Sequence, residues 1–176
     1  LPGAPHAPGV PPHKVNTAPP PRRQPVTRRV NLLRHVKSTL IASSTMNPRS
    51  RGPLALVDGQ SSTRWSSEVG DVDSAWLSIT VPPEATLSAL KIIPGVLNED
   101  QDAFEEKSPR IGRIRVERDG TELGVYELDG ENPELQEISL SGSGGRVKLR
   151  FLDVRAGSKR ANQVEIAELE LWGMPM

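Results

Sequence analysis

The sequence predicts an all-β protein, an antiparallel β-sandwich or jelly roll preceded by an extended proline-rich arm, and three observations carry the prediction. Beyond residue 58, short apolar runs alternate with polar residues at the two-residue period of a strand. Turn pairs and Pro or Gly clusters punctuate those runs, and no segment keeps a long helical period, so the crossover helices of a parallel sheet are lacking. Nine of the 17 prolines fall in residues 1–25, including Pro11-Pro12 and Pro19-Pro20-Pro21. Their fixed φ and missing N–H keep that stretch out of helices and central strands.

Residues 1–37 are assigned to the arm or linker and residues 38–176 to a single sandwich domain. From Val26 to Thr45, apolar pieces (Val30, Leu32-Leu33, Val36, Leu40-Ile41) are separated by basic residues. The pattern is open to a short amphipathic helix or to an approach strand leading into a first strand near Ser38–Ser44, of which the strand is preferred. Asn47-Pro48 and Arg51-Gly52-Pro53 mark a loop, Leu54–Asp58 a tight turn, and Trp65 a buried ring at the start of a sheet. Leu77, Ile79 and Val81 alternate with Ser78 and Thr80 in a strand that Pro82-Pro83 is expected to stop. Leu87–Ile93 follows, closed by Pro94-Gly95. Ile114 and Val116 lead through the turn pair Asp119-Gly120 into Leu123–Leu128, the strongest hairpin signal in the chain. Leu135–Leu140, a turn cluster at Ser141–Gly145, Val147-Leu149-Phe151 and a last strand at Val164–Trp172 bring the total to about eight strands.

A formal net charge of zero hides a division. Residues 1–57 carry nine Lys or Arg and no Asp or Glu, whereas residues 58–176 carry 13 basic and 22 acidic residues, a balance of −9. A basic arm on an acidic body can serve as spacer or docking peptide, and contact between the arm and another chain is expected. Nucleic acid is not the expected partner. The chain has no cysteine, hence no disulfide and no thiolate chemistry, and no apolar run approaches the roughly 18 residues of a membrane span.

Catalysis finds little support. His6, His13 and His35 all lie in the arm, which leaves the body without an imidazole for base catalysis or zinc. The carboxylates of Glu99, Asp100, Asp102, Glu105 and Glu106 read as a solvated acidic loop rather than a glycosidase pair. Gly142–Gly145 lacks the Lys and helix of a phosphate-binding loop. For binding, the chain offers only Trp65, Trp76, Trp172, Tyr126, Phe104 and Phe151 as rings, and Phe104, on the long acidic loop, is the one candidate for an exposed ring. The polar candidates are Arg49, Arg51, Arg155, Lys159 and Arg160, which if clustered favour an anionic ligand or a carboxylate-bearing protein partner.

Several stretches together resemble the discoidin or coagulation-factor C-type family, with its galactose-binding-like jelly roll. They are Ala42-Ser43-Ser44-Thr45, Val57-Asp58-Gly59 with Thr63-Arg64-Trp65, Trp76-Leu77-Ser78-Ile79, and Glu165-Ile166-Ala167-Glu168-Leu169-Glu170-Leu171. A narrower likeness is to bacterial NADase-type glycan-binding domains. It rests on Ile93-Pro94-Gly95 with the loop to Phe104, on Arg110-Ile111-Gly112-Arg113-Ile114-Arg115-Val116, and on the stretch from Phe151 to Lys159. The resemblance spans residues 38–173 and implies a non-catalytic binding or docking module of a bacterial envelope or secreted protein, with glycan or an anionic ligand held on sandwich-end loops. It also implies that Trp65, Trp76 and Trp172 lie in or near the core, that Phe104 plugs its loop down, and that Asp58, Thr63 and Glu168 hold a structural calcium, with Gln60 standing where relatives carry an acidic residue. The other reading is a structural subunit fastened to partner chains by its arm.

Overall fold

The computed structural model describes residues 28–176; residues 1–27 of the arm expected over residues 1–37 lie outside the described residues. The elements are β1 (Val30–Asn31), α1 (Leu32–His35), β2 (Thr39–Ala42), α2 (Pro48–Arg51), a 3-10 turn at Pro53–Leu56, β3 (Trp65–Ser66), β4 (Trp76–Ile93), β5 (Arg110–Arg118), β6 (Thr121–Glu127), β7 (Gln136–Arg155), β8 (Glu165–Ile166) and β9 (Glu168–Met174). No helix among the described residues is long and apolar enough to cross a membrane.

Seven strands form one antiparallel sheet in the order β1-β9-β4-β7-β5-β6, with β2 beside the first half of β4; β3 and β8 pair separately. The two long central strands stay paired with each other but change outer neighbours half-way. In β4, residues 77–80 pair with β2 and residues 86–93 with β9, while residues 147–155 of β7 pair with β5. The sheet therefore folds over where β4 and β7 slip register, between Val81 and Thr86. Inner side chains of both halves, Leu77, Ile79 and Leu149 from one and Leu90, Ile92 and Ile138 from the other, meet in one buried cluster. The folded sheet is thus an all-β sandwich with a single core.

The corner corrects two expectations. Pro82-Pro83 does not stop a strand, and Ser141–Gly145 is not a turn between strands: both lie inside the continuous strands β4 and β7. The prolines have no N–H to give to the ladder, so pairing lapses there and resumes at Thr86. Opposite them, Gly142 and Gly145 both adopt φ 114, and a Cβ on Gly144 would collide with the Pro82 carbonyl. The predicted hairpin is found as drawn: Asp119 (φ 48) and Gly120 (φ 85) join the paired residues Arg118 and Thr121.

The sandwich also begins earlier than residue 38. Val30 and Asn31 pair with Gly173 and Trp172 of the last strand, and Leu32 is fully buried. The Asn31 side chain accepts the Leu33 N–H at 3.2 Å and caps the single turn of α1. Arg29 and Arg34, assigned by sequence to the arm, pair with Glu137 and Glu168 of this same body. The strand expected near Ser38–Ser44 is β2.

Because β4 and β7 fold over together, both ends of each strand lie away from the corner. Four long connections gather there and are stitched by backbone hydrogen bonds: Met46 N–H to Ser66 O (2.8 Å), Ser67 N–H to Val164 O (2.9 Å), Ser158 N–H to Glu106 O (3.0 Å) and Arg160 N–H to Lys107 O (3.0 Å). Phe104 is the plug of the acidic loop, buried against Ile93 and Ala167 with Leu97 bridged to it. Gly95 makes room for it: a Cβ there would sit 3.0 Å from the ring.

Candidate functional site

The loop end is built around a buried carboxylate. Glu165 on β8 is fully buried, and its Oε1 accepts from the Ser66 hydroxyl (2.9 Å) and the Gln163 amide (2.9 Å). Two guanidinium groups close over it, Arg64 Nε at 3.4 Å from Oε1 and Arg160 Nε at 3.6 Å from Oε2. Arg160 reaches further, donating to Glu105 at 2.7 Å and to the Ser108 hydroxyl at 2.6 Å. The network ties β8 to the acidic loop, and burying a charge demands partners of this kind. Burial holds the Arg64 guanidinium below its ordinary range; Glu165 works against that shift, while Arg51 and Arg160 add to it.

Beside this network lies an open cleft of about 610 Å³, in which Arg64 and Lys107 face Glu99 and Glu105, with Ser62 and Asn98 adding a hydroxyl and an amide. Cations and carboxylates balance, so the lining offers donors and acceptors in similar number without a strong field of either sign. Asn98 is fixed by a reciprocal pair with Asp102, its amide donating at 2.8 Å and its Oδ1 accepting the Asp102 N–H at 3.2 Å. That pair holds the tip of the loop beside the cleft.

The five predicted cations are not one cluster. Arg160 belongs to the buried network, and Arg51, which donates to Met46 Sδ at 3.5 Å, lies near enough to Arg64 for its charge to be felt. Arg49 and Lys159 are exposed, Lys159 using its main-chain N–H on Lys107 O at 3.4 Å. Arg155 stands apart, paired at 3.1 Å with Glu131, which also holds Arg110 at 3.2 Å. Among the described residues, Arg155 and Arg160 are held by carboxylates and Arg49, Arg51 and Lys159 are not, so the five do not form the single cluster on which an anionic ligand is conditional. Arg64, Glu105 and Glu165 were missed as site residues. The signal was present in Val164-Glu165-Ile166-Ala167, where a carboxylate inside an apolar run requires a buried cationic partner.

The aromatic expectations divide. Trp65 is fully buried and packs 5.8 Å from Phe151. Trp76 and Trp172 are only partly buried, each lying beneath cations: Lys148 over Trp76 at 4.6 Å, and Lys91 and Arg29 over Trp172 at 5.0 and 5.7 Å.

Of the expected metal ligands, Asp58 and Thr63 are in contact, and Glu168 lies near enough to Asp58 for its charge to be felt. The Thr63 hydroxyl lies 2.8 Å from Asp58 Oδ2, 2.7 Å from the Gln60 carbonyl and 3.1 Å from the Ala55 carbonyl. Gln60 thus contributes its main chain rather than its side chain, and its N–H donates to Asp58 Oδ1 at 2.8 Å. Near them Glu168 is buried, with Oε1 3.4 Å from Arg34 and Oε2 without a partner. Burial pushes Glu168 up to about 7; Arg34 opposes the rise, and the neighbouring Asp58 adds to it. No group of three or more His, Cys, Asp or Glu among the described residues is placed to hold a metal. The oxygens of this set, two carboxylates with neutral groups, have the composition that calcium takes, but they share the place with a cation, because Arg34 pairs with Glu168 and packs against Gly59.

No protein-family model matches the chain, and no curated protein matches it by sequence. Solved structures do match by shape. The F5/8 type C domain of a Bacteroides fragilis protein is similar at 11% identity and TM-score 0.59, over 79% of this chain and 93% of that one. A family 32 CBM (carbohydrate-binding module) from Clostridium perfringens NanJ, solved in complex with galactose, is similar at 17% identity and TM-score 0.57, over 77% and 93%. A family 89 glycoside hydrolase from Clostridium perfringens is similar at 16% identity and TM-score 0.54, over 79% of this chain but only 14% of the enzyme. These likenesses show the fold, a discoidin-like, galactose-binding-like β-sandwich.

Proposed function

We propose that the domain is a non-catalytic carbohydrate-binding module that takes a neutral, hydroxyl-rich sugar in the cleft beside Arg64. One observation carries the reading: two cations and two carboxylates, with an amide and a hydroxyl, line an open cleft on a loop braced from below by buried Glu165. Sugars expose hydroxyls that both donate and accept, and a balanced lining of fixed charged groups meets both needs. The galactose held by a structurally similar module makes a galactose-terminated disaccharide the first probe. The reading places the domain on a bacterial cell envelope or a secreted protein, where such glycans are met. It also takes calcium as a structural ion held by Asp58, Thr63 and Glu168 with the Ala55 and Gln60 carbonyls, bracing the loop rather than touching sugar.

The test is a glycan array followed by calorimetric titration. Saturable binding of a neutral, galactose-type glycan is expected. It should fall roughly tenfold in Lys107→Gln and in Glu99→Gln, two exposed positions whose replacement leaves the fold alone. No binding across a broad panel of neutral glycans would overturn the reading.

A further inference from the structure

We propose a second binding site, on the outer face of the sheet near β2, for an acidic oligosaccharide carrying uronic-type carboxylates. It does not rest on the loop-end reading and uses none of the same residues.

Strand register creates the site. Ile41, Ser78, Lys148 and Glu117 stand opposite one another on β2, β4, β7 and β5 and form one row across four strands. Thr80 and Arg146 pair in the row on one side, Trp76 and Arg150 in the row on the other. Ser78 is the short member, and the taller residues around it leave a groove of about 480 Å³ bordered by Ile41, Trp76, Thr80, Arg146, Lys148 and Glu117. With strands about 4.8 Å apart, four strands give a track of roughly 14 Å, suited to an extended oligomer rather than one small molecule.

The chemistry of that track is specific. Among the described residues, Arg146 and Lys148 pair with no carboxylate, in contrast to Arg113, Arg115 and Arg150 on the same face. Two nearby carboxylates are already committed, Glu117 accepting from Arg150 at 3.2 Å and Asp119 from the Arg146 main-chain N–H at 2.9 Å. The groove therefore keeps two unpaired cations although the chain from residue 58 onward is acidic. Ile41 is 51% exposed on an edge strand, and the Trp76 ring is partly exposed under the Lys148 ammonium. Two cations without carboxylate partners, a threonine hydroxyl, a Glu117 carboxylate of which one oxygen holds Arg150, and an indole that Lys148 would uncover by moving onto a ligand carboxylate fit a ligand with rings, hydroxyls and carboxylates together. A polyphosphate offers no hydroxyl donors to Glu117 and no ring face to Trp76.

The experiment is calorimetric titration of the full chain at low salt with a uronic acid hexasaccharide and its carboxyl-reduced counterpart. The hexauronate should bind, the reduced form should bind about tenfold more weakly, and Arg146→Gln with Lys148→Gln should cost at least about tenfold without moving the melting temperature. Lifting Lys148 from Trp76 should change indole emission on binding, and that change should vanish in Trp76→Phe. The Glu99→Gln, Lys107→Gln variant should bind hexauronate as the wild type does; loss there would move the site to the loop end and overturn the proposal. It is equally overturned if the wild type ignores hexauronate, if the Arg146, Lys148 variant binds it unchanged, or if polyphosphate competes as well as the uronate.

Discussion

The loop end and the outer sheet face use cations in opposite ways. At the loop end, Arg64 and Arg160 converge on Glu165 and Glu105, so both guanidiniums are anchored to the protein's own carboxylates. On the sheet face, among the described residues, Arg146 and Lys148 stand without such partners, although Arg150 beside them is paired with Glu117. A paired, half-buried arginine organises loops, whereas an unpaired cation on a rigid strand presents its charge outward. Residue type alone does not separate the two; the partner does.

Removing cations from the two regions should therefore have unequal consequences. Arg64→Ala leaves Glu165 buried with one cation fewer and is expected to cost about 3–5 kcal/mol in denaturant unfolding. If Arg64→Ala were silent, the loop end would not be organised by its ion pairs. Next comes pH. Glu168, at about 7 in the folded chain against 4.5 ordinarily, binds its proton more tightly folded than unfolded. In chelator its contribution is therefore fully present below about 4.5 and is lost as pH rises through 7, a fall of about 3 kcal/mol that Glu168→Gln should flatten. Calcium should act in the same region with the other sign: at a hundredfold excess over its Kd it stabilises by about 2.7 kcal/mol, a gain absent in Asp58→Ala. The smallest effect belongs to the sheet face, where Lys148→Gln should change stability by no more than about 0.5 kcal/mol.

Much of the fold was legible because alternation is local. Leu77, Ile79 and Val81 point inward as their period required, and the same parity puts Trp76 outward, a consequence that its size obscured. The corner was not legible, since Pro82-Pro83 and Ser141–Gly145 carry the composition of turns. The register slip of β4 against β7 and the close approach of Gly144 to the Pro82 carbonyl show that the two stretches bend together inside long strands. The edge of the domain was misplaced for a similar reason: Val30 and Asn31 reveal their strand only through pairing with Trp172 and Gly173, far along the chain. Of the site, Arg160 and the Asp58–Thr63 turn could be named from sequence. Arg64 and Glu165 form a pair across 101 residues, and which arginines meet carboxylates is a property of the fold rather than of any segment.

The most direct test is an amide-resolved NMR titration of the full chain with a galactose-terminated disaccharide. A glycan cleft at the loop end predicts saturable shifts concentrated at residues 62–64 and 96–107, with the amides of Ser78, Arg146 and Lys148 unmoved. Shifts confined to the sheet face, or none at saturating sugar, would contradict it.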